Sequence, residues 1–538
     1  MIQKPIQNPI LRGFNPDPSI VRVGDDYYIA TSTFEWFPGV QIHHSRDLVN
    51  WRLLTHPLTR KSQLDMAGNP DSGGIWAPCL SYSDGIFYLI YTDVKSHLGP
   101  FKDTINYLVT SEHITGPWSE PVYLNSSGFD PSLFHDEDGR KWLLNLVWDH
   151  RKGKNPFGGI VMQQYCTEQK KLIGPVFPLF NGTELGLTEG PHLYRHGDYY
   201  YLMTAEGGTR FGHAATVARS ASLFGPYEAD PAGPLITSAD DPSLYLQRAG
   251  HASLVETQGG EFYIAHLCGR PLRPSMQCNL GRETALQRVR WTEDGWLRLE
   301  SGGHHPLNEV ARPLLPEHPW PAEPEVDHFD GDGLSIHFQT LREPLQEQWA
   351  SLKERPGFLR LRGRQSLYSA FEQSLIARRQ QAFTAEAETC LEYDPQHYQQ
   401  MAGLVYYYNQ KNYYYLFVSW DETAGRCIGL MSSDRGIYDE PLDAPISVEG
   451  WDRIYLKLTL DYSRLQFHYS SDGLEWLPVG PVLDAGKISD ENAETVVGHY
   501  LLDQGFTGAF IGLCAQDLGG TGKYADFDYF AYREMEER

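Results

Sequence analysis

A chain of 538 residues is too long for one typical core, so two or more domains are expected. Apolar residues at 41 % and charged residues at 21 % exclude a disordered chain. The 45 Lys and Arg against 69 Asp and Glu leave a net charge of −24, which argues against nucleic acid or an anionic membrane as partner, and no apolar run approaches the ~18 residues of a membrane span.

The first residues, MIQKPIQNPILRGFNPDPS, contain no apolar stretch of the ~7–15 residues that a secretory leader needs. Seven scattered Cys without CxxC spacing read as free thiols rather than a disulfide framework or a zinc site. A cytoplasmic location is therefore expected.

In chain order, the first elements form a repeat. A turn followed by an aromatic-rich strand occurs five times: GDDYYIAT from Gly24, DGIFYLIYT from Asp84, DGRKWLLNLVW from Asp138, GDYYYLMTA from Gly197 and GGEFYIAH from Gly259. The aligned aromatics are Tyr28, Tyr88, Trp142, Tyr200 and Tyr263, spaced by 60, 54, 58 and 63 residues. Each interval has room for about four short strands. Hairpin turns ending on an aromatic follow Ser45, Ser111 and Ser220, and no copy has a long stretch of helical period. Four-stranded blades around a central axis close such repeats, so residues 1–305 are predicted to form a five-bladed β-propeller.

The same alignment fixes what precedes each strand. NPDPSI, IWAPCL, FDPSLF, TEGPHL and GHASLV place Asp17, Trp76, Asp130, Glu189 and His251 11 or 12 residues before the aligned aromatics. If the blades share a pseudo-fivefold axis, these five side chains ring one axial pocket. Three crowded carboxylates cannot all keep ordinary pKa values, and the resulting split supplies an acid and a base at one pH. Asp-Pro-Ser and Glu-Gly-Pro are also turn formers, but three carboxylates in register across five repeats favour chemistry.

Between Gly303 and Asp327 stand Pro306, Pro313, Pro316, Pro319, Pro321 and Pro324, the density of an extended linker, assigned to residues 306–326. Beyond it come strand signals in MAGLVYYY, NYYYLFVSW, CIGLMSS, RIYLKLTLDY, RLQFHYSS, AFIGLCAQ and ADFDYFAYR. Their spacing predicts a β-sandwich over residues 327–538 in an all-β protein. The segment Glu343 to Arg379 is read as including loops over the active site.

Six motifs, NPDPSI, GIWAP, GFDPSLF, LTEGPHLY, AGHASLV and LGRETALQ, occur in the order found in glycoside hydrolase family 43, and the chain resembles that family's two-domain β-xylosidases over essentially its whole length. The resemblance implies an inverting exo-hydrolase that releases xylose from the non-reducing end of short β-1,4-xylo-oligosaccharides. It also implies a concanavalin/laminin-like sandwich. It assigns Asp17 as general base, Glu189 as general acid, and Asp130 as the carboxylate that raises the acid's pKa and orients it. Arg282, Phe34, Trp76, Trp148, Thr209, Phe506 and His251 resemble substrate-pocket residues, with Phe506 reaching across from the sandwich.

No cofactor is required for chemistry carried by two carboxylates. His251 reads either as a ligand of a structural cation such as calcium, or as a core histidine bonded to carbonyls. By analogy with related two-domain enzymes, a homo-oligomer, dimer or tetramer, is expected. Three other readings stay open: an α-L-arabinofuranosidase or bifunctional enzyme; an invertase-like retaining hydrolase, whose WMNDPNG-type signature is absent; and a non-catalytic carbohydrate-binding propeller, which would lack a full acid, base and modulator set.

Overall fold

The computed structural model describes residues 4–497 and 500–535. Five antiparallel sheets, four of them four-stranded and the fourth in order five-stranded, follow one another along the first three hundred residues. The first blade is Ser19–Val23, Asp26–Thr31, Gln41–Ser45 and Arg52–Thr55. The second is Gly74–Ser83, Ile86–Ser96, Asp103–Ser111 and Val122–Asn125. The third is Ser132–His135, Lys141–Trp148, Phe157–Cys166 and Lys171–Phe180. The fourth is Glu189–His196, Tyr199–Glu206, Ala214–Ser220 and Glu228–Ala229, with Ile236–Thr237 as a further partner of its third strand. The fifth is Gln247–Glu256, Phe262–Gly269, Glu283–Trp291 and Leu297–Leu299. The repeated aromatic strand is the second strand of every blade, and the repeated turn joins it to the first.

The aromatic doublets follow from packing. Successive side chains of a strand point to opposite faces, and each blade has a neighbour on both. Tyr27 packs backward with Tyr263 and Val255 of the fifth blade, whereas Tyr28 packs forward with Leu80 and Phe87 of the second. Phe87 then faces back to the first blade, and Tyr88 forward to Leu133 and Leu143 of the third. A buried Tyr or Phe removes ~150–250 Å² from water, worth several kcal/mol at about 25 cal/mol per Å². Each doublet therefore seals two blade interfaces.

The ring closes without a shared blade. The N-terminal segment lies along the fifth blade: the Leu11 amide donates to the Thr284 carbonyl (3.1 Å) and the Asn15 amide to that of Arg282 (2.8 Å). Ile6–Gln7 pairs with Glu309–Val310 just past the last blade.

The sandwich has two sheets. One runs Ala350–Ser351, Leu359–Arg362, Tyr524–Glu534, Thr384–Glu392, Ile454–Asp461, Arg464–Ser470, Leu477–Asp484, with Val326–Asp327 also pairing to Tyr524–Glu534. The other runs Ile437–Asp439, Gly425–Asp434, Asn412–Asp421, Gln400–Asn409, Phe510–Asp517, Ser374–Arg379, Gln339–Leu341, and ends on Trp36–Phe37, with Ile446–Ser447 also pairing to Gly425–Asp434. That last strand comes from the first propeller blade: Thr340 pairs with Phe37 and Leu341 with Trp36. One sheet thus belongs to both domains.

This second sheet is buried on both faces, so its strands lack polar alternation. In Gln400–Asn409, Leu404, Tyr406 and Tyr408 enter the core between the sheets, while Val405 and Tyr407 face the propeller. Trp36 stacks on Phe510 at 3.7 Å between centroids, tilted by 13°. The segment 343–379 differs from its sequence reading. It supplies sandwich strands, and its Ala370–Phe371 turn rests on Gly68, but none of its residues lines the axial pocket. Its short polar stretches carry little period, which is why they resembled loops. All seven Cys are free.

Candidate active site

Asp17, Trp76, Asp130, Glu189 and His251 line a single pocket of about 50 Å³ at the propeller axis, together with Phe34, Thr209, Arg282 and Phe506. Asp17 and Asp130 stand just before the first strand of their blades, Glu189 begins it, and Trp76 and His251 lie within it. Backbone geometry turns several of them inward. Asp17, Asp130 and His251 adopt φ of 56°, 53° and 40°, and Phe34 adopts 49°. Left-handed backbone costs an L-residue roughly 1–2 kcal/mol, so four such residues mark a constrained site. Gly190, at φ 56°, meets the same demand: a Cβ there would lie 2.9 Å from His251 Nε2.

Asp17 is held as a carboxylate. Ser32 Oγ donates to Oδ2 (2.6 Å) and Arg282 Nη1 to Oδ1 (3.3 Å), and His251 Nδ1 lies 3.5 Å from Oδ1. Burial works to raise its pKa, but Arg282, His251, Ser32 and His213 together outweigh burial and bring it below 3.8.

Glu189 goes the other way. Burial first, and the charge of Asp17 second, push it up to about 8, against the lowering influence of Arg282 and Lys102. Asp130 is raised well above its ordinary value by burial, then by Glu189 and Asp17, although the Gly190 amide donates to its Oδ2 (3.1 Å). Glu189 and Asp130 are thus a coupled pair that keeps protons near neutrality. Burial and the charge of Asp17, not that of Asp130, raise Glu189; the sequence reading had given this part to Asp130.

Arg282 links the parts. Besides Asp17 it donates from Nη2 to the Phe506 carbonyl (3.1 Å), and its guanidinium lies 5.3 Å from the Phe34 ring centre and 5.0 Å from that of Phe506. Phe506 belongs to the sandwich and packs on Phe34 (5.7 Å) and Trp76 (5.9 Å). Ser72 fixes this wall. Its carbonyl accepts from Trp76 Nε1 (2.9 Å), its Oγ donates to the Gln504 carbonyl (2.9 Å), and the same Oγ accepts from the Phe506 amide (3.2 Å). Behind it, the Ser72 amide donates to the fully buried Glu35 (3.0 Å).

Trp148 is the one predicted pocket residue outside the lining: it stands behind Phe129 (6.1 Å) and donates to the Pro100 carbonyl (2.8 Å). The register that aligned the first strands says nothing about the end of a second strand, where Trp148 sits. His213, Phe129, Ala77 and Lys102 were not found from sequence. His213 lines the pocket, with Nδ1 on the Gly208 carbonyl (2.5 Å) and Nε2 without a partner. Lys102 lies over Trp148 (4.6 Å) and Trp76 (5.5 Å), and burial brings it down to about 8. Phe129 precedes Asp130 directly in GFDPSLF, a signal that was available.

His251 stands in the pocket beside Asp17 rather than bonded to carbonyls. Its Nδ1 faces Asp17, and burial lowers its pKa. Among the described residues, the one group of three metal-ligand side chains with suitable spacing is Asp240, His304 and His305, elsewhere on the propeller.

Residues 6–297 match the model of glycosyl hydrolases family 43, and residues 326–533 that of the β-xylosidase C-terminal concanavalin A-like domain. The chain belongs to glycosyl hydrolase family 43. It is similar to a β-xylosidase of Bacillus subtilis, 52 % identical over 98 % of this chain and 99 % of the relative. It is likewise similar to a xylosidase/arabinosidase of Humicola insolens, 50 % identical over 99 % and 98 %. Among solved structures, a xylan β-1,4-xylosidase from Bacillus halodurans superposes with a TM-score of 0.96 at 60 % identity, over 98 % of this chain and 100 % of that one. The family 43 chain is thus a glycoside hydrolase, built on the propeller and sandwich that its sequence predicted.

Proposed function

We propose that this hydrolase is an inverting exo-β-xylosidase acting on short xylo-oligosaccharides, with Asp17 as general base, Glu189 as general acid and Asp130 as the carboxyl that modulates the acid and orients it. The observation that carries this reading is the split in one pocket between a carboxylate held ionised and one pushed up to about 8. Inversion needs such a pair, roughly 6.5–9.5 Å apart with water between. Glu189 gives its proton to the glycosidic oxygen as that bond breaks; Asp17 takes one from the water that attacks C1 on the opposite face. Arg282 holds Asp17 ionised and offers its remaining donors to sugar hydroxyls. Trp76, Phe34 and Phe506 offer ring faces to a pentose. A pocket walled by a second domain suits one terminal sugar better than the middle of a polymer. A cytoplasmic site of action, on imported oligosaccharides, accords with this.

The linkage reading rests on the relatives' names, which include both β-1,4- and β-1,3-xylosidases. A second activity, on α-L-arabinofuranosides, is favoured by the Humicola relative. NMR of the first sugar released from an aryl β-xyloside tests the mechanism: α-xylose is expected, and β-xylose would refute inversion. Comparing kcat/KM on aryl β-xyloside, aryl α-arabinofuranoside and xylobiose tests the substrate.

A further inference from the structure

Away from the axial pocket, a cavity of about 630 Å³ opens where the N-terminal segment, the first blade, the Pro-rich linker and the sandwich meet. Its walls carry an excess of cationic donors. Arg12 is matched by Glu534 (2.7 Å) and His337 by Glu323 (2.6 Å). Arg52 lies 3.8 Å over the Trp320 ring. Arg378 and Arg379 have no carboxylate within ion-pair distance among the described residues.

Arg379 is the sharper case, being 4 % exposed. Its two terminal nitrogens donate to the neutral amides of Gln41 and Gln339. Burial, then Arg378, work against its charge, and no carboxylate works for it. An uncompensated buried cation costs several kcal/mol, and buried charges are therefore paired as a rule. Four lining residues, His43, Arg52, Arg378 and Arg379, each also keep a buried ring or guanidinium nitrogen without a partner (Nδ1 of His43 and Nε of the three arginines). Glu325, the remaining lining carboxylate, pairs with Arg533 (3.7 Å), and Glu323 and Glu534 act on Arg378 only from beyond ion-pair distance. Guanidinium donors without acceptors, beside Arg379 without a counter-charge, describe a site that lacks an acceptor-rich anion.

We propose that this interdomain cavity binds a small multivalent oxyanion, held by Arg379 and Arg378 and bridging the propeller, the linker and the sandwich. The site is separate from the hydrolytic centre and does not depend on the mechanism given above.

The test titrates the full chain with inorganic phosphate against sodium chloride at equal ionic strength, following melting temperature and direct binding by equilibrium dialysis. Phosphate is expected to bind saturably, and the melting temperature to rise with the logarithm of 1 + [phosphate]/Kd for the Kd that dialysis gives, because that is how a ligand of the folded state alone stabilises. Arg379→Gln should abolish both effects, yet melt no lower than the parent in phosphate-free buffer, since it removes a charge without a partner. Arg378→Gln, a second variant should the first not accumulate folded, should weaken binding about tenfold. Absence of saturable binding to the parent, as expected of a cavity holding water only, overturns the proposal. Unchanged binding in the variants overturns it as well.

Discussion

Asp17 and Glu189 share one pocket and one set of neighbours, yet Arg282 and Ser32 hold the first ionised while burial keeps the second protonated. The sign of the pH dependence follows. The base must be ionised, so kcat/KM should hold down to pH values at or below 3.8; the acid must be protonated, so kcat/KM should fall as pH rises through about 8. A rate profile in which the alkaline limb begins near pH 5 would refute that assignment. Asp17→Ala and Glu189→Ala should each cost ~10²–10⁴-fold on xylobiose. With an aryl xyloside whose leaving group needs no proton, Glu189→Ala should recover most of that loss and Asp17→Ala should not. This contrast separates the two roles in one assay.

At the scale of elements, the loop before Phe510–Asp517 carries the sandwich's share of the pocket. Gly281, at φ 72°, lets this loop approach: a Cβ there would lie 1.9 Å from the Thr507 carbonyl oxygen. Gly281→Ala must therefore displace either Arg282 or Phe506, and a loss of kcat/KM on the order of 10²-fold is expected. Ser72→Ala removes the two Oγ hydrogen bonds to the same loop, each worth about 0.5–1.5 kcal/mol net. It should lower kcat/KM on the order of tenfold, mainly through KM. The blades were legible because each repeats one turn and one aligned aromatic, doubled in all but the third, and the three carboxylates because they stand in register with those aromatics. Phe506 came only from family resemblance, and Ser72 not at all: contacts that join residues some 430 positions apart leave no local period to read. Trp148 was misplaced because the repeat register does not reach the end of a second strand, and the segment 343–379 because its short polar stretches carry little period.

The whole molecule is joined by a sheet that begins in the sandwich and ends on Trp36–Phe37, and beside that junction Glu35 is buried with no exposure. Burial first, and Asp71 second, raise Glu35 to about 8 despite Arg342. The folded chain therefore keeps a proton that the unfolded chain gives up near 4.5. Its contribution to stability is full below that value and is lost as pH rises through about 8. Glu35→Gln, which cannot ionise, should flatten the fall of stability between these pH values without abolishing it, since Glu189 and Asp130 carry the same sign. Denaturant titrations at several pH values measure this, and an unchanged slope would count against it.

The position of Phe506 also has a meaning in time. A chain emerging from the ribosome folds its N-terminal parts first, and all five blades end by Leu299. Such a nascent propeller already holds Asp17, Asp130 and Glu189, but not the wall that Phe506 provides or the Phe510–Asp517 strand against which Trp36 stacks. Hydrolysis should therefore begin only when synthesis is nearly complete. A fragment abandoned part-way would be a silent enzyme, carrying its three carboxylates without a chamber in which to use them.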